Sequence, residues 1–152
     1  MENADAYQVP PAALLEVCVC HMTRRAARAV TRAYDAAFAA AGVSASQFTL
    51  LAAIAAAGPV SIGRLSGILL MEASTLSRNL GALRDQGHLI WQDGAGRRAA
   101  SIALSAGGRK VLAAAIPVWQ DMQRALTQRL GSGKASALLE NLEAAAKALA
   151  PL

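Results

Sequence analysis

Apolar residues recur at helical spacing near the start of the chain. A stripe begins at Leu15 and returns at every third or fourth position as far as Ala37. This period is typical of an amphipathic helix that buries one face. The pattern predicts a long helix from about Ala12 to Ala40, ended by Gly42.

The next third of the chain carries signals for two short helices. The run Ser44-Ala45-Ser46-Gln47 has the form of a capping box, in which a serine and a glutamine satisfy free N–H groups at a helix start. It predicts a helix that ends before Gly58-Pro59. Ser61 can cap a further short helix from Ile62 to Leu69.

A third short helix is predicted for residues 71–87, MEASTLSRNLGALRDQG. Leu76, Leu80 and Leu83 repeat at i, i+4 and i+7, so we expect them to face a core. The polar side is unusual because it carries hydroxyls and arginines instead of a mixture of glutamate and lysine. The residues largely off the leucine stripe are Ser74, Thr75, Ser77, Arg78 and Arg84.

The pattern changes to short strands after Gly87. Two strand-like runs flank a glycine-rich turn, which is a hairpin signal. Helical spacing then returns, with Ser105 as a cap. The predicted elements are a strand over 88–93, a turn over 94–96, a strand over 99–104, a helix to about Leu130 and a last helix over 135–148.

Three short helices followed by a hairpin predict a winged helix-turn-helix. The expected fold class is therefore mainly α with a small β-hairpin wing. We expect this lobe at about residues 44–104, and a helical dimerisation region at about residues 12–41 and 106–150. Nothing in the sequence separates these parts into autonomous domains, so residues 1–152 are interpreted as a single chain.

Positive charge is concentrated in the segment that contains the 71–87 helix. The net charge is +5, and residues 59–110 hold seven basic against three acidic side chains, a balance of +4. A local basic excess suggests a polyanionic partner. Alanine-rich composition with only 4% aromatic residues fits a helical protein.

The polar face of the 71–87 helix suits a DNA major groove. Short hydroxyl side chains let a helix approach closely, and arginine supplies phosphate or guanine contacts. Arg97 and Arg98, at the predicted hairpin tip, would reach the backbone or the adjacent minor groove. The alternative is a solvated helix beside a solvated hairpin. The two elements together with the basic excess favour double-stranded DNA as the partner.

Several other classes find no support in the sequence. The longest apolar run between Asp35 and Arg64 is Leu50 to Ala57, far below the roughly 20 residues that span a bilayer. We therefore expect no membrane partner, and the acidic start argues against a signal peptide and for a cytoplasmic protein. No catalytic triad, paired carboxylates, P-loop or dinucleotide fingerprint occurs, so we expect neither an enzyme nor a cofactor.

The chain resembles the MarR (multiple antibiotic resistance) family of transcriptional regulators. The similar segments are GVSASQFTLLAAI, SIGRLSGILLMEASTLSRNLGALRDQGHLI and GRRAASIALSAGGRKVL, within about residues 14–130. The resemblance implies a homodimer built from the terminal helices and a pseudo-palindromic DNA site. It also implies a ligand pocket between the dimer helices and the DNA-binding lobe.

Two positions depart from the family pattern. Gly96 stands where the family's wing commonly has an aspartate, so Arg98 lacks the carboxylate that would orient it. Leu70 stands in the turn between the two helix-turn-helix helices, where glycine is frequent. The first departure weakens the expected wing contact, and the second puts the geometry of the turn in question.

The cysteine cluster CVCHM is open to several interpretations. Cys18 and Cys20 lie at i, i+2 and would point to different sides of one helix, which disfavours a disulfide. Cys18 with His21 offers only two metal ligands, so we expect no metal site. A buried, inert thiol is the simplest interpretation, above all for Cys18.

Cys20 also aligns with the reactive cysteine of the organic-hydroperoxide-sensing branch of the MarR family. Arg28, Thr31 and Tyr34 fit that branch's pattern. Arg24 and Ala45 occupy the places of its other two tyrosines, although Arg24 could lower the pKa of the thiol. This partial resemblance implies an oxidant as one form of effector.

The effector site and the function each keep alternatives. The candidate ligand or redox residues are Cys20, His21, Arg24, Tyr34 and Trp119. Trp119 could line a ligand pocket or simply pack in the dimer core. The favoured function is a dimeric repressor released by a small molecule or an oxidant. The alternative is a helical dimeric protein-interaction module with weakened or lost DNA binding.

Overall fold

The protein forms seven α-helices and a two-stranded hairpin in the part described by this computed structural model, residues 10–92 and 100–149. The elements in order are α1 (Pro11–Val17), α2 (Val19–Phe38), α3 (Ala45–Ala57), α4 (Ile62–Leu69), α5 (Ala73–Asp85), β1 (Leu89–Gln92), β2 (Ser101–Leu104), α6 (Ala106–Leu130) and α7 (Ser132–Leu149), with a short 3₁₀ helix at Ala39–Ala41. This order confirms the predicted fold class, mainly α with a small β-hairpin.

The prediction of one continuous first helix is wrong, because the helix is interrupted at Cys18. Cys18 is extended (φ −75°, ψ 108°), and its Sγ accepts the N–H of His21 at 3.4 Å as the N-cap of α2. Its backbone N–H still closes α1 on Leu14. Both cysteines are exposed in the protomer, so the expectation of a buried Cys18 is also wrong there. Continuous helical periodicity hid the break because no glycine or proline marks it.

Serine caps fix the starts of three helices where the sequence predicted them. The capping box at α3 is complete: Ser44 Oγ accepts the Gln47 N–H at 3.2 Å, and Gln47 Oε1 accepts the Ser44 N–H at 2.9 Å. Ser61 Oγ accepts the Arg64 N–H at 3.3 Å at the start of α4. Ser105 Oγ accepts the Gly108 N–H at 2.9 Å at the start of α6. These bonds satisfy N–H groups that a helix start otherwise leaves free.

The hairpin is antiparallel and is tied to the helices by a third backbone segment. Leu89 faces Leu104 and Trp91 faces Ile102 in the register. Val60, just before α4, exchanges both backbone hydrogen bonds with Ile102, at 3.0 and 2.8 Å. The base of the wing is therefore anchored to the helix-turn-helix, while the predicted turn at 94–96 lies outside the described residues.

The core lies within the lobe and receives the end of α2. Its largest fully buried side chains come from several elements and are Phe38, Leu50, Leu51, Ile54, Val60, Leu65, Leu76, Leu80, Leu83 and Ile102. The three leucines of α5 are fully buried, as their spacing predicted. They fix which side of α5 faces outward.

The end of the chain differs slightly from the prediction. Helix α7 begins at Ser132, not at Ala135, because Gly131 alone (φ 83°) ends α6 and the next residues are already helical. None of the described residues of α7 is buried in the protomer. Its leucines therefore stay available for a partner.

No single helix within residues 10–92 and 100–149 is long and apolar enough to cross a membrane. The segments Val19–Ala41 and Ala45–Ala57, bent by 75° relative to each other, reach that length and hydropathy only when they are taken together.

Candidate nucleic-acid interface

The outward face of α5 presents the predicted small polar side chains. Ser74, Ser77 and Arg78 are exposed, and Thr75 is half-buried. Arg78 Nη2 donates to Thr75 Oγ1 at 3.4 Å, so the hydroxyl steadies the guanidinium along the helix surface. The buried stripe of Leu76 and its partners holds this face rigidly outward. The outward face of α5 therefore offers hydroxyl and guanidinium donors on the surface of a protruding helix.

The start of α5 adds backbone donors to the same face. Its N-cap, Glu72, makes no side-chain capping bond. The first N–H groups of a helix have no intrahelical acceptor and carry partial positive charge. Ser74 and Thr75 lie in this first turn, so their hydroxyls and N–H groups lie together. A phosphate oxygen is a suitable acceptor for such groups.

Arg84 lies at the other end of α5, against the wing. Its Nε donates to Asp85 Oδ1 at 3.1 Å, and its guanidinium carbon lies 5.5 Å from the centre of the Trp91 ring. Nothing in the sequence pattern indicates a role for Trp91. Its position after Gly87 in a strand gave no indication that it would contact the last turn of α5.

The basic side chains of residues 59–110 differ in their surroundings. Arg109 is tied to the backbone, because its Nη1 donates to the Leu104 carbonyl at 2.8 Å. Arg64 is exposed on α4. The predicted wing-tip residues Arg97 and Arg98, together with Gly96, lie outside the described residues.

Two of the effector candidates, Tyr34 and Trp119, line one open cavity of about 390 Å³ between α2, α3, α6 and α7. Aromatic rings connect them: Tyr34 lies 5.7 Å from Phe38, Phe38 lies 4.7 Å from Phe48, and Phe48 lies 6.5 Å from Trp119, all between ring centres. Burial raises the pKa of Tyr34 above its usual 10.0. A largely apolar cavity that also holds the hydroxyls of Thr31, Tyr34, Ser46 and Thr49 suits a small aromatic or amphipathic ligand.

Cys20 and Arg24 lie in a different place. They line a second open space of about 730 Å³ between α2, α7 and the turn at Leu70. Cys20 and Tyr34 are both on α2, fourteen positions apart, which separates them by about 21 Å along the axis. One protomer therefore does not bring its Cys20 thiol to its own Tyr34 hydroxyl. His21 is half-buried and lines neither space.

Within residues 10–92 and 100–149, no three His, Cys, Asp or Glu side chains come together in a way that could hold a metal ion. Cys18 and His21 are linked only through the sulfur-to-backbone bond that caps α2.

The known proteins that this chain resembles are transcriptional regulators. The sequence model of the MarR family matches residues 41–99. The transcriptional regulator MosR of M. tuberculosis is 33% identical, with a TM-score of 0.75, over 88% of this chain and 98% of MosR. A second structure of MosR, in complex with DNA, is 36% identical, with a TM-score of 0.75, over 86% of this chain and 97% of that one.

A more distant neighbour shares the fold. A cysteine-to-serine variant of MarR from E. coli, complexed with operator DNA, has a TM-score of 0.78 at 20% identity, over 87% of this chain and 96% of that one. No match was found among curated protein sequences.

Proposed function

This chain belongs to the MarR family of transcriptional regulators, and we propose that it is a homodimeric repressor that binds a pseudo-palindromic DNA site through α5 and is released by an effector. The observation that carries the proposal is the outward face of α5. Ser74, Ser77 and Arg78 stand exposed on a helix whose opposite face is locked into the core. MosR, 36% identical to this chain, has been seen in complex with DNA.

The shape and chemistry of α5 suit the major groove. A helix fits this groove, where arginine can bind the O6 and N7 of guanine, while serine and threonine pair with several bases or with phosphate. We assign Ser74, Thr75 and Ser77 to close backbone or base contacts and Arg78 to base readout. Arg84 is assigned to the phosphate backbone, because it lies at the opposite end of the helix from the first turn.

The wing forms the second part of the proposed interface. Residues 44–104 would act as one DNA-binding lobe, because Val60 anchors the hairpin base to the helices. Arg97 and Arg98 would contact the backbone or the minor groove beside the site. This assignment rests on the sequence.

The dimer is proposed to form through residues 12–41 and 106–150. Exposed apolar side chains concentrate there, among them Leu15 (54% exposed), Leu139 (65%) and Leu149 (78%). Large apolar side chains exposed in such number are typical of a protein interface. Two lobes related by a two-fold axis would then meet two half-sites in successive turns of the duplex.

The effector is proposed to act where the lobe meets the dimer helices. The cavity of Tyr34 and Trp119 touches α3 of the lobe and α6 and α7 of the dimerisation region. A small amphipathic molecule bound there would shift one part against the other and change the spacing of the two α5 helices. The alternative effector is an oxidant acting at Cys20, whose exposed thiol lies in the second space near Arg24.

A repressor function also implies a cellular location for this protein and the lack of an enzymatic activity. A repressor acts on DNA in the cytoplasm of a bacterium, so we infer a cytoplasmic protein. Its relatives are described as transcriptional regulators, and the proposal contains no enzymatic step.

Substitution of Arg78 tests the proposal. We expect Arg78→Ala to weaken binding to the operator by about 1–3 kcal/mol and to relax sequence preference at one position of each half-site. The matched control is Arg124→Ala, which removes another exposed arginine from α6, where it pairs with Asp121. The measurement is a titration of labelled operator, recovered from genomic fragments that the purified protein retains.

The comparison between the two arginines decides the outcome. The proposal requires a large loss for Arg78→Ala and little change for Arg124→Ala. Equal affinities for the parent and Arg78→Ala would contradict the placement of α5 in the groove.

A further inference from the structure

Arg84 and Trp91 form a contact between α5 and the wing that the proposed function does not use. The guanidinium carbon lies 5.5 Å from the centre of the indole ring, within the range of a cation–π interaction. Trp91 is 38% exposed and the Arg84 side chain is 59% exposed. The pair therefore lies on the surface of the lobe, next to water.

The pair joins the two parts of the lobe that are proposed to touch DNA. Arg84 is in the last turn of α5, and Trp91 is in β1, opposite Ile102. Leu89, two positions before Trp91 on the same face of the strand, is buried in the core. The strand thus leaves the core at Trp91, and its indole covers the end of α5 at the base of the wing.

The contact with Trp91 leaves N–H donors of Arg84 available. A guanidinium on an aromatic face keeps its N–H groups in its own plane, pointing away from the ring. Nε is used by Asp85 at 3.1 Å, and the structure gives the two terminal nitrogens no acceptor among the described residues. The planar group is therefore oriented on two sides, by the indole and by the carboxylate, with its outer edge free.

We propose that Trp91 is a positioning residue that holds the Arg84 guanidinium at the junction of α5 and β1, so that it binds one backbone phosphate of each DNA half-site. The proposal rests on the proposed function, because it assumes that α5 lies in the groove. It adds a residue that the sequence did not indicate. It also gives Arg84 a defined role, which is fixing the register of the lobe on the duplex and not reading bases.

The exposed position of the contact supports a role in DNA binding over a role in folding. An exposed cation–π pair adds little to the stability of the fold. A preoriented guanidinium, however, loses less freedom when it binds a phosphate than a mobile one. The indole is thus expected to matter more for the affinity for DNA than for thermal stability.

Substitution of Trp91 tests the proposal. Trp91→Leu keeps an apolar side chain but removes the aromatic face, and we expect operator binding to weaken about five- to thirtyfold in the dimer. The slope of log affinity against log salt should become shallower by up to about 1.8, the value for complete loss of one phosphate contact in each of two half-sites. Trp91→Phe, which retains an aromatic face, should recover most of the affinity and of the slope.

A matched control lies next to Trp91. Ile90→Ala changes an exposed apolar residue on the opposite face of the same strand, and it should leave the salt slope unchanged. A double-mutant cycle with Arg84→Ala completes the test. Once Arg84 is absent, Trp91→Leu should cost no further affinity.

The results separate this inference from the proposed function. A parent protein that binds no operator contradicts the function itself. If the parent binds and Arg78→Ala weakens binding, but Trp91→Leu keeps the parent slope or adds its full cost to Arg84→Ala, only the role of Trp91 is wrong. A lowered melting temperature with an unchanged slope would likewise overturn it, since it would make Trp91 a structural residue.

Discussion

Leu70 adopts a backbone conformation that leucine rarely takes. It ends α4 in the left-handed region (φ 49°, ψ 40°), and its N–H bonds the Ser66 carbonyl. Among the described non-glycine residues it alone has a positive φ. The sequence alone left the geometry of this turn without glycine undetermined. In the structure, Leu70 adopts the left-handed conformation that glycine usually takes. That geometry costs an L-residue about 1–2 kcal/mol.

We expect Leu70→Gly to raise the free energy of unfolding, by up to about 1 kcal/mol. Glycine relieves the left-handed strain but adds freedom to the unfolded chain, so part of the gain is lost. Leu70 is 59% exposed, so little burial is given up. Urea denaturation checks this, with Leu70→Val as a comparison that should destabilise because a β-branched residue fits a positive φ poorly. A glycine variant less stable than the parent would show that the leucine side chain matters more than the strain.

Single residues differ in how far the sequence reveals them. The exposed Ser74, Ser77 and Arg78 were predictable, because helical spacing alone sets which side of α5 faces away from Leu76. The contact of Arg84 with Trp91 was not, since it depends on how β1 leaves the turn after α5. Local periodicity carries no information about such a contact between elements.

The junction between α5 and α6 depends on close backbone contact. A Cβ built on Gly108 would lie 2.1 Å from the carbonyl oxygen of His88, the residue that precedes β1. Gly108 is buried, and its N–H is bonded to Ser105 Oγ. Ser105 Oγ in turn donates to the Gly87 carbonyl at 2.6 Å. The end of the recognition segment and the start of the long helix therefore meet at a position that only glycine fits.

Two glycine-to-alanine substitutions should act in opposite directions. Gly108→Ala should destabilise the fold by about 1–3 kcal/mol or more, because backbone must move to admit the methyl group. Gly81→Ala, in α5, meets nothing within 4 Å and should stabilise by about 0.5–1 kcal/mol. Thermal melts of the two variants check this. Similar melting temperatures for both would contradict the close contact at His88.

Helix ends followed from the sequence where a side chain or a glycine determines them. Ser44, Ser61 and Ser105 each cap a helix at the predicted place. The break at Cys18 did not follow, because the same sequence reads as continuous helix on either side of it. Its cause is a local bond from the His21 N–H to the sulfur, which competes with helix geometry.

Two regions of the protein differ in how much apolar surface they cover. The lobe buries most of its leucines within one protomer, with Leu70 an exception, whereas α1 and α7 expose theirs and the start of α2 exposes Val19 and Met22. The sequence predicted this division from the stripes on the terminal helices. It could not place the helices of one protomer against those of its partner, since periodicity gives a face and not an orientation.

Removal of α7 should prevent dimer formation. A chain truncated after Gly131 loses the exposed leucines 138, 139, 142 and 149, so we expect monomers or aggregates and no binding to a palindromic site. Light scattering measures the mass, and circular dichroism shows whether the lobe remains folded. A well-behaved dimer of the truncated chain would place the interface elsewhere.

Binding of duplex DNA through a basic winged lobe requires the affinity to depend on salt, because basic side chains displace the counterions of the phosphates. The protein is titrated with a duplex recovered from genomic fragments, and with an unrelated duplex, at several salt concentrations. We expect log affinity for the recovered duplex to fall linearly with log salt, and this duplex to bind at least about a thousandfold tighter than the unrelated one. Absence of binding, or affinity without dependence on salt, would show that the lobe does not bind DNA and would favour a helical protein-interaction module that has lost DNA binding.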